Sequence, residues 1–169
     1  ILVQDDHYGK DGIDVETCSN TIIQGVTGTN VRHPVAVAGW SVGTQIQGLS
    51  TSQVWQTIES HSAFDTSYAN VFAARDESWP NLRCVGGSIS DAKIYSDATN
   101  SDFGPYFHSL ILADLSWYDQ AVLTLRDVEL IAPNVTTRRT LGATYGNVVL
   151  DNVIATMGDR SDLPQFAAT

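Results

Sequence analysis

The sequence predicts an all-β chain wound as a parallel β-helix, and three observations carry that prediction. Val, Ile and Thr supply 43 of the 169 residues and fall in short runs broken by Gly, Asn and Asp, which is the composition of strands and turns. A tetrad of apolar residue, any residue, Gly/Asn/Asp and apolar residue recurs along the chain. Its closest copies sit 23 to 25 residues apart. That period is too short for a propeller blade, and the frame of a leucine-rich repeat is missing, but it suits one coil of short stacked strands.

The tetrads read Ile23-Gln24-Gly25-Val26, Ile46-Gln47-Gly48-Leu49, Leu125-Arg126-Asp127-Val128 and Leu150-Asp151-Asn152-Val153. Two weaker copies, Ile89-Ser90-Asp91-Ala92 and Leu112-Ala113-Asp114-Leu115, are again 23 apart. The third residue tolerates left-handed backbone where a strand turns a corner, while the apolar residues around it point inward and stack on the coil below. Roughly seven coils at about 4.8 Å each make a rod about 34 Å long. The chain opens on Ile1-Leu2-Val3-Gln4, which reads as mid-strand, with no initiator Met and no signal-peptide pattern. Residues 1–169 are therefore expected to be a single β-helix domain, the C-terminal part of a longer protein. An uncapped first coil would expose unpaired backbone groups, so a missing N-terminal segment or another chain is expected to cover it. Residues 52–62 carry the best helical periodicity, weakened by β-branched and aromatic content. Irregular spacing between Leu49 and Ile89 leaves an all-β sandwich as the competing fold.

Charge narrows the partners. Nine Lys and Arg stand against 19 Asp and Glu, a net charge of -10. Lys10 and Lys93 are the only lysines and Arg138-Arg139 the closest basic cluster, so a phosphate backbone would be repelled and nucleic acid is excluded. A neutral polysaccharide or a protein partner is not. No apolar run approaches the ~18 residues that cross a bilayer, which predicts no membrane span. With 43% hydrophobic and 17% charged residues, the chain has what a folded core requires. Cys18 and Cys84 lie 66 apart in no metal-ligand spacing. One disulfide and two small buried thiols are both open, the thiols being favoured. The sequence calls for no metal and no cofactor.

Three clusters carry candidate chemistry. The turn-rich stretch Gln4 to Gly12 holds Asp5, Asp6 and Asp11 as candidate catalytic carboxylates, with Lys10 beside them as a substrate contact. Neighbouring carboxylates can divide acid and base roles, and inverting glycoside hydrolysis places two carboxyls ~6.5 to 9.5 Å apart, about two coils of a parallel stack. A solvated acidic turn explains the same residues. The second cluster is Arg32-His33 before the strand Val35 to Trp40, and the third is Asp65 followed by Arg75. If these share one face, His33 with Asp65 forms an acid/base pair while Arg32 and Arg75 hold an anionic sugar or an oxyanion. The competing reading is a buried, paired ladder that fixes coil register, in which Arg32 is the partner of Asp65. Trp40, Trp55, Trp79 and Trp117 offer flat apolar surfaces suited to sugar rings, Trp40 first among them.

The succession Asp11-Gly12-Ile13-Asp14-Val15, Ser19-Asn20, Arg32-His33 before a Val/Ala strand and Gly39, Ala63-Phe64-Asp65-Thr66, then Ala74-Arg75 resembles the right-handed parallel β-helix, pectin-lyase-like proteins of phage tails and tailspikes. The likeness covers about residues 9 to 92, and Ser67 stands where that pattern has His. It implies a homotrimeric, elongated protein of the virion tail or the extracellular space that recognises bacterial cell-surface polysaccharide, which some members cleave. Asp5-Asp6 and Asp11-Gly12 also look like pieces of β-helical glycanases of polygalacturonase and dextranase type, which makes a secreted hydrolase or lyase fragment the alternative. Those enzymes place the Asp pair one coil after the Asp-Gly. Counting forward from Asp11 reaches Arg32 and His33 instead.

Overall fold

The computed structural model describes residues 2–4, 11–77, 81–97, 109–114, 122–134, 139–144, 147–158 and 166–168. Every described element is a strand: β1 (Leu2–Gln4), β2 (Ile13–Glu16), β3 (Ile22–Thr29), β4 (Val35–Ala38), β5 (Gln45–Ser52), β6 (Glu59–Asp76), β7 (Asn81–Ser96), β8 (Ser109–Asp114), β9 (Val122–Ala132), β10 (Arg139–Thr144), β11 (Asn147–Met157) and β12 (Phe166–Ala168). All pairings between them are parallel. The result is an all-β parallel solenoid of about four turns, with one face carried further by β9 and β11 and another by β8, β10 and β12. Parallel pairing throughout disposes of the sandwich, whose sheets are antiparallel. The helical periodicity of residues 52–62 ends as the close of β5, a bend and the start of β6.

The tetrads mark the corners. Gly25 stacks on Gly48, then Asn70, Asp91, Asp127 and Asn152, as the strand registers on either side of each require. All six have positive φ, between 50° and 69°. That left-handed backbone is open to Gly, and costs Asn and Asp less than other residues. Before the corner, Ile23, Ile46, Tyr68, Ile89 and Leu125 lie in register; after it, Val26, Leu49, Val71, Ala92 and Val128 do. Both columns belong to one buried core, where each large aliphatic contributes about 1.5 to 3 kcal/mol.

A second left-handed column, Asn20, Gly43, Asp65 and Gly86, turns the chain at another corner. Backbone bonds tie its steps together: the Asn20 amide donates to Val42 O, and the Gly43 amide to Phe64 O. The weak copy Leu112 to Leu115 departs from the expected pattern. Leu112 pairs with Asn81 in the sheet that contains β2 and β4, on a different face from the tetrad corner. The next corner after Asp91 is Asp127, 36 residues on, so this coil is longer than the repeat and its extra residues displace the fixed-period copy.

Two glycine substitutions should separate conformational strain from steric overlap. A Cβ on Gly25 would meet nothing within 4 Å, whereas one on Gly87 would lie 2.3 Å from the carbonyl oxygen of Thr66. Gly25→Ala should cost about 1 to 2 kcal/mol, the left-handed penalty alone. Gly87→Ala should cost clearly more, read as a larger fall in the urea midpoint at unchanged slope.

Candidate functional site

Strands β2, β4 and the start of β6 form a short parallel sheet with Asp14, Ala36 and Glu59 in one column. The alternation of β2 sets its sides, for Val15 is in the core while Asp14 and Glu16 are exposed. Glu59 points the same way as Asp14. Its Oε1 lies 2.8 Å from Nδ1 of the half-exposed His61, two residues along the same strand face. Ala36, Ala38 and Glu59 are all buried, Glu59 at 6% exposure, so that Asp14 is the acid of this column open to solvent. Two rungs of about 4.8 Å put the backbones of Asp14 and Glu59 roughly 9.6 Å apart.

The strand that carries Glu59 is held from inside. Tyr68 is fully buried, and its hydroxyl donates to the Glu59 carbonyl at 2.7 Å. Ser60, on the inner side, donates to the Thr66 hydroxyl at 3.2 Å.

Just ahead of the starts of β2 and β4, Asp11 and His33 come together. The Gly12 amide donates to His33 O at 2.8 Å, which sets Asp11 beside the imidazole. Asp11 Oδ1 and His33 Nδ1 are 2.8 Å apart and both buried, yet neither forms a well-directed hydrogen bond. Burial lowers the His33 pKa below its ordinary 6.5; the negative charges of Glu59 and Asp11 pull against that shift, and Arg32 adds to it. His33 is thus kept toward the neutral form, able to take a proton. Among the described residues no three His, Cys, Asp or Glu converge as a metal site.

Of the other residues singled out from sequence, those described are dispersed. Asp5, Asp6 and Lys10 lie outside the described residues. Arg32 and Asp65 are both exposed, and no ion pair joins them among the described residues. The buried column of alternating sign is therefore not formed. Asp65 is a corner residue at φ 50°, a place that Gly43 and Gly86 fill on adjacent turns. The exposed guanidinium of Arg75 pairs with Asp97 on the next turn. Trp40 is 55% exposed, beyond the far end of β4 from His33, and stacks on Phe64 with ring centroids 6.1 Å apart. Cys18 is a free, exposed thiol rather than a small buried hydrophobe, because it lies past the end of β2 where the chain turns out of the sheet.

Sequence reasoning passed over Asp14 and Glu59. The signal was present as spacing: 45 residues separate them, two coil lengths, with Ala36 near the midpoint. Comparisons with known proteins add no name to this site: no family model, no curated protein and no solved structure matches the chain.

Two outcomes test this geometry. Unfolded His33 titrates near 6.5 and folded His33 lower, so below pH 6.5 the unfolded chain binds more protons. The stability that His33 contributes is in place above pH 6.5 and is lost as the pH falls through the folded pKa. Melting curves between pH 7.5 and 5 should lose more stability in the wild type than in His33→Gln. Arg32→Ala should behave as a surface change within about 0.5 kcal/mol, in contrast to what a buried partner of Asp65 would show.

Proposed function

We propose that this chain belongs to a right-handed, pectin-lyase-like β-helix of phage tail or tailspike type, which lays a bacterial surface polysaccharide along the face formed by β2, β4 and β6. The observation that carries the reading is the column of Asp14, Ala36 and Glu59, with Asp11 and His33 at its end. Such a face offers the exposed Asp14 as an acceptor for sugar hydroxyls. The exposed Trp40, backed by Phe64, offers an apolar surface for a second ring farther along. A homotrimer of about seven coils on a virion tail, or outside the cell, is the setting this reading assigns.

Cleavage is the further part of the proposal. Strand positions two rungs apart stand near the upper end of the carboxyl separation used in inversion, which leaves room for a water between acid and base. In that reaction Glu59 takes up a proton and gives it to the glycosidic oxygen as the bond to the anomeric carbon breaks, which requires its 6%-exposed side chain to be uncovered as the sugar binds. Asp14, open to solvent, takes a proton from the water that attacks that carbon from the opposite side. The small Ala36 leaves the space for sugar and water.

A polysaccharide lyase is the second reading, favoured by His33. An imidazole kept neutral by burial beside a carboxylate is suited to removing a proton adjacent to a uronate carboxyl. The two reactions leave different products. Hydrolysis gives a saturated reducing end, whereas elimination gives an unsaturated, ultraviolet-absorbing one.

Incubation with bacterial surface polysaccharides should release reducing ends in the wild type, with a loss of at least about 10²-fold in Glu59→Gln, the range expected for removing a general acid. Trp40→Ala should weaken glycan binding while leaving the melting temperature within a few degrees. Absence of glycan binding by the intact protein would overturn the reading. Binding without release would limit it to recognition.

A further inference from the structure

Asp76, at the end of β6, is fully buried. Its carboxyl receives two hydrogen bonds from one residue: the Thr57 amide donates to Oδ2 at 2.9 Å and the Thr57 hydroxyl to Oδ1 at 2.6 Å. The Thr57 hydroxyl is in turn 2.5 Å from the hydroxyl of Thr51, also buried. The backbone at Asp76 is fastened on its other side, where its carbonyl accepts from the Asp97 amide and the Ser96 hydroxyl.

Among the described residues no cation faces this carboxyl from the elements packed against it. Residues 53–57 carry no charged side chain, β5 contributes Thr51, and the end of β7 contributes Tyr95 and Ser96. Arg75 is exposed and engaged with Asp97, while Glu77 follows in the chain and would add only repulsion. Burial raises the Asp76 pKa from 3.8 to about 7, against the two bonds from Thr57 that favour the anion.

We propose that Asp76, Thr57 and Thr51 form a latch that closes on protonation and fastens residues 53–58, the segment leading into Glu59, to the end of β6. The hydroxyl chain permits both states. With Asp76 neutral, its O–H donates to the Thr57 hydroxyl, which donates on to Thr51. With Asp76 ionised, the Thr57 amide and hydroxyl both donate to the carboxylate, and a charge with no described cation beside it remains in the interior. Neutral Asp76 holds the segment, and ionisation drives the carboxylate toward water and loosens the chain ahead of the β2–β4–β6 face. This inference does not depend on the sugar reading.

The sign follows from the proton balance. Between pH 3.8 and about 7 the folded chain holds a proton at Asp76 that the unfolded chain has released. The stability from this site is therefore complete below pH 3.8, declines as pH rises, and is spent above about 7. Asp76→Asn mimics the neutral acid, since its oxygen can accept the Thr57 amide and its NH2 can donate to the Thr57 hydroxyl.

The test is thermal melting from pH 5.5 to 8. The wild type should lose about 5 °C more than Asp76→Asn over that range, and protection of the Thr57 and Ile58 amides should fall with it. Thr57→Val, which removes a donor to the anion, should move the loss toward higher pH. Parallel curves for wild type and Asp76→Asn would overturn the proposal. So would a carbon-13 titration of the intact wild type showing Asp76 ionised below pH 5, a measurement that needs no variant to fold.

Discussion

In-register parallel stacking is the constraint on which the rest of the molecule depends. Each residue of a coil sits one strand spacing from its counterpart on the next, so like meets like unless the sequence intervenes. Amides gain from this, as where the Gln24 side chain donates to Gln47 at 3.0 Å, and Asn152 donates to Asp127 at 2.7 Å. Inward aliphatics gain as well, each column becoming a continuous strip of core. Charges do not, and the outer faces answer by alternating sign between turns: Lys93 meets Glu129 at 2.8 Å, and Arg126 meets Asp151 at 3.0 Å. These exposed pairs add little stability, but they remove the repulsion that a slipped register would create.

Where the chain leaves the sheets to turn, backbone groups lose ladder partners and side chains supply them. The Ser41 hydroxyl has one proton to share between the carbonyls of Ala38, at 2.8 Å, and Val15, at 3.1 Å, and accepts from the Cys18 amide, joining two coils at one point. Thr57 and Asp76 do similar work at a different turn. Such groups are buried because the next coil covers them, and burial shifts their titration. His33 and Asp76 are both pushed toward their neutral forms, one losing a proton it would otherwise keep, the other retaining one it would otherwise release. Desolvation is the common cause, and the opposite charge types of acid and base give the opposite directions.

The corners were the legible part of this sequence, because left-handed backbone restricts residue type so strongly. Even there the reading was partial. Asn70 occupies the same column as Gly48 and Asp91, but Tyr68-Ala69-Asn70-Val71 conceals it behind an aromatic where the other copies have Ile or Leu. The long coil between Asp91 and Asp127 broke the period and sent Leu112 to another face. The site was harder to read than the fold. Its neighbours are set by which residues share a column, and a one-residue error in register turns a side chain from outside to inside. Asp11 and His33 were named from sequence and do meet, though each was assigned a different partner. Asp14 and Glu59 were passed over because no acid stands beside either in the sequence, and only the register of β2, β4 and β6 brings them into one column.

Aspartate shows why residue type alone could not decide function here. Asp65, Asp91 and Asp127 stand in left-handed columns beside Gly and Asn, so what selects them is backbone tolerance, with ionisation incidental. Asp97 and Asp151 neutralise an arginine one turn away. Asp76 is buried under the next coil, where no sugar can reach it. Asp14 differs from all of these. It sits mid-strand, where a corner has no use for it, and its neighbour on the next turn is Ala36, which offers no countercharge. A coil position that demands neither a turn nor a paired ion is free to carry chemistry, and Asp14 is such a position, whereas Glu59, two coils on, faces the same way and is held by His61 at 2.8 Å.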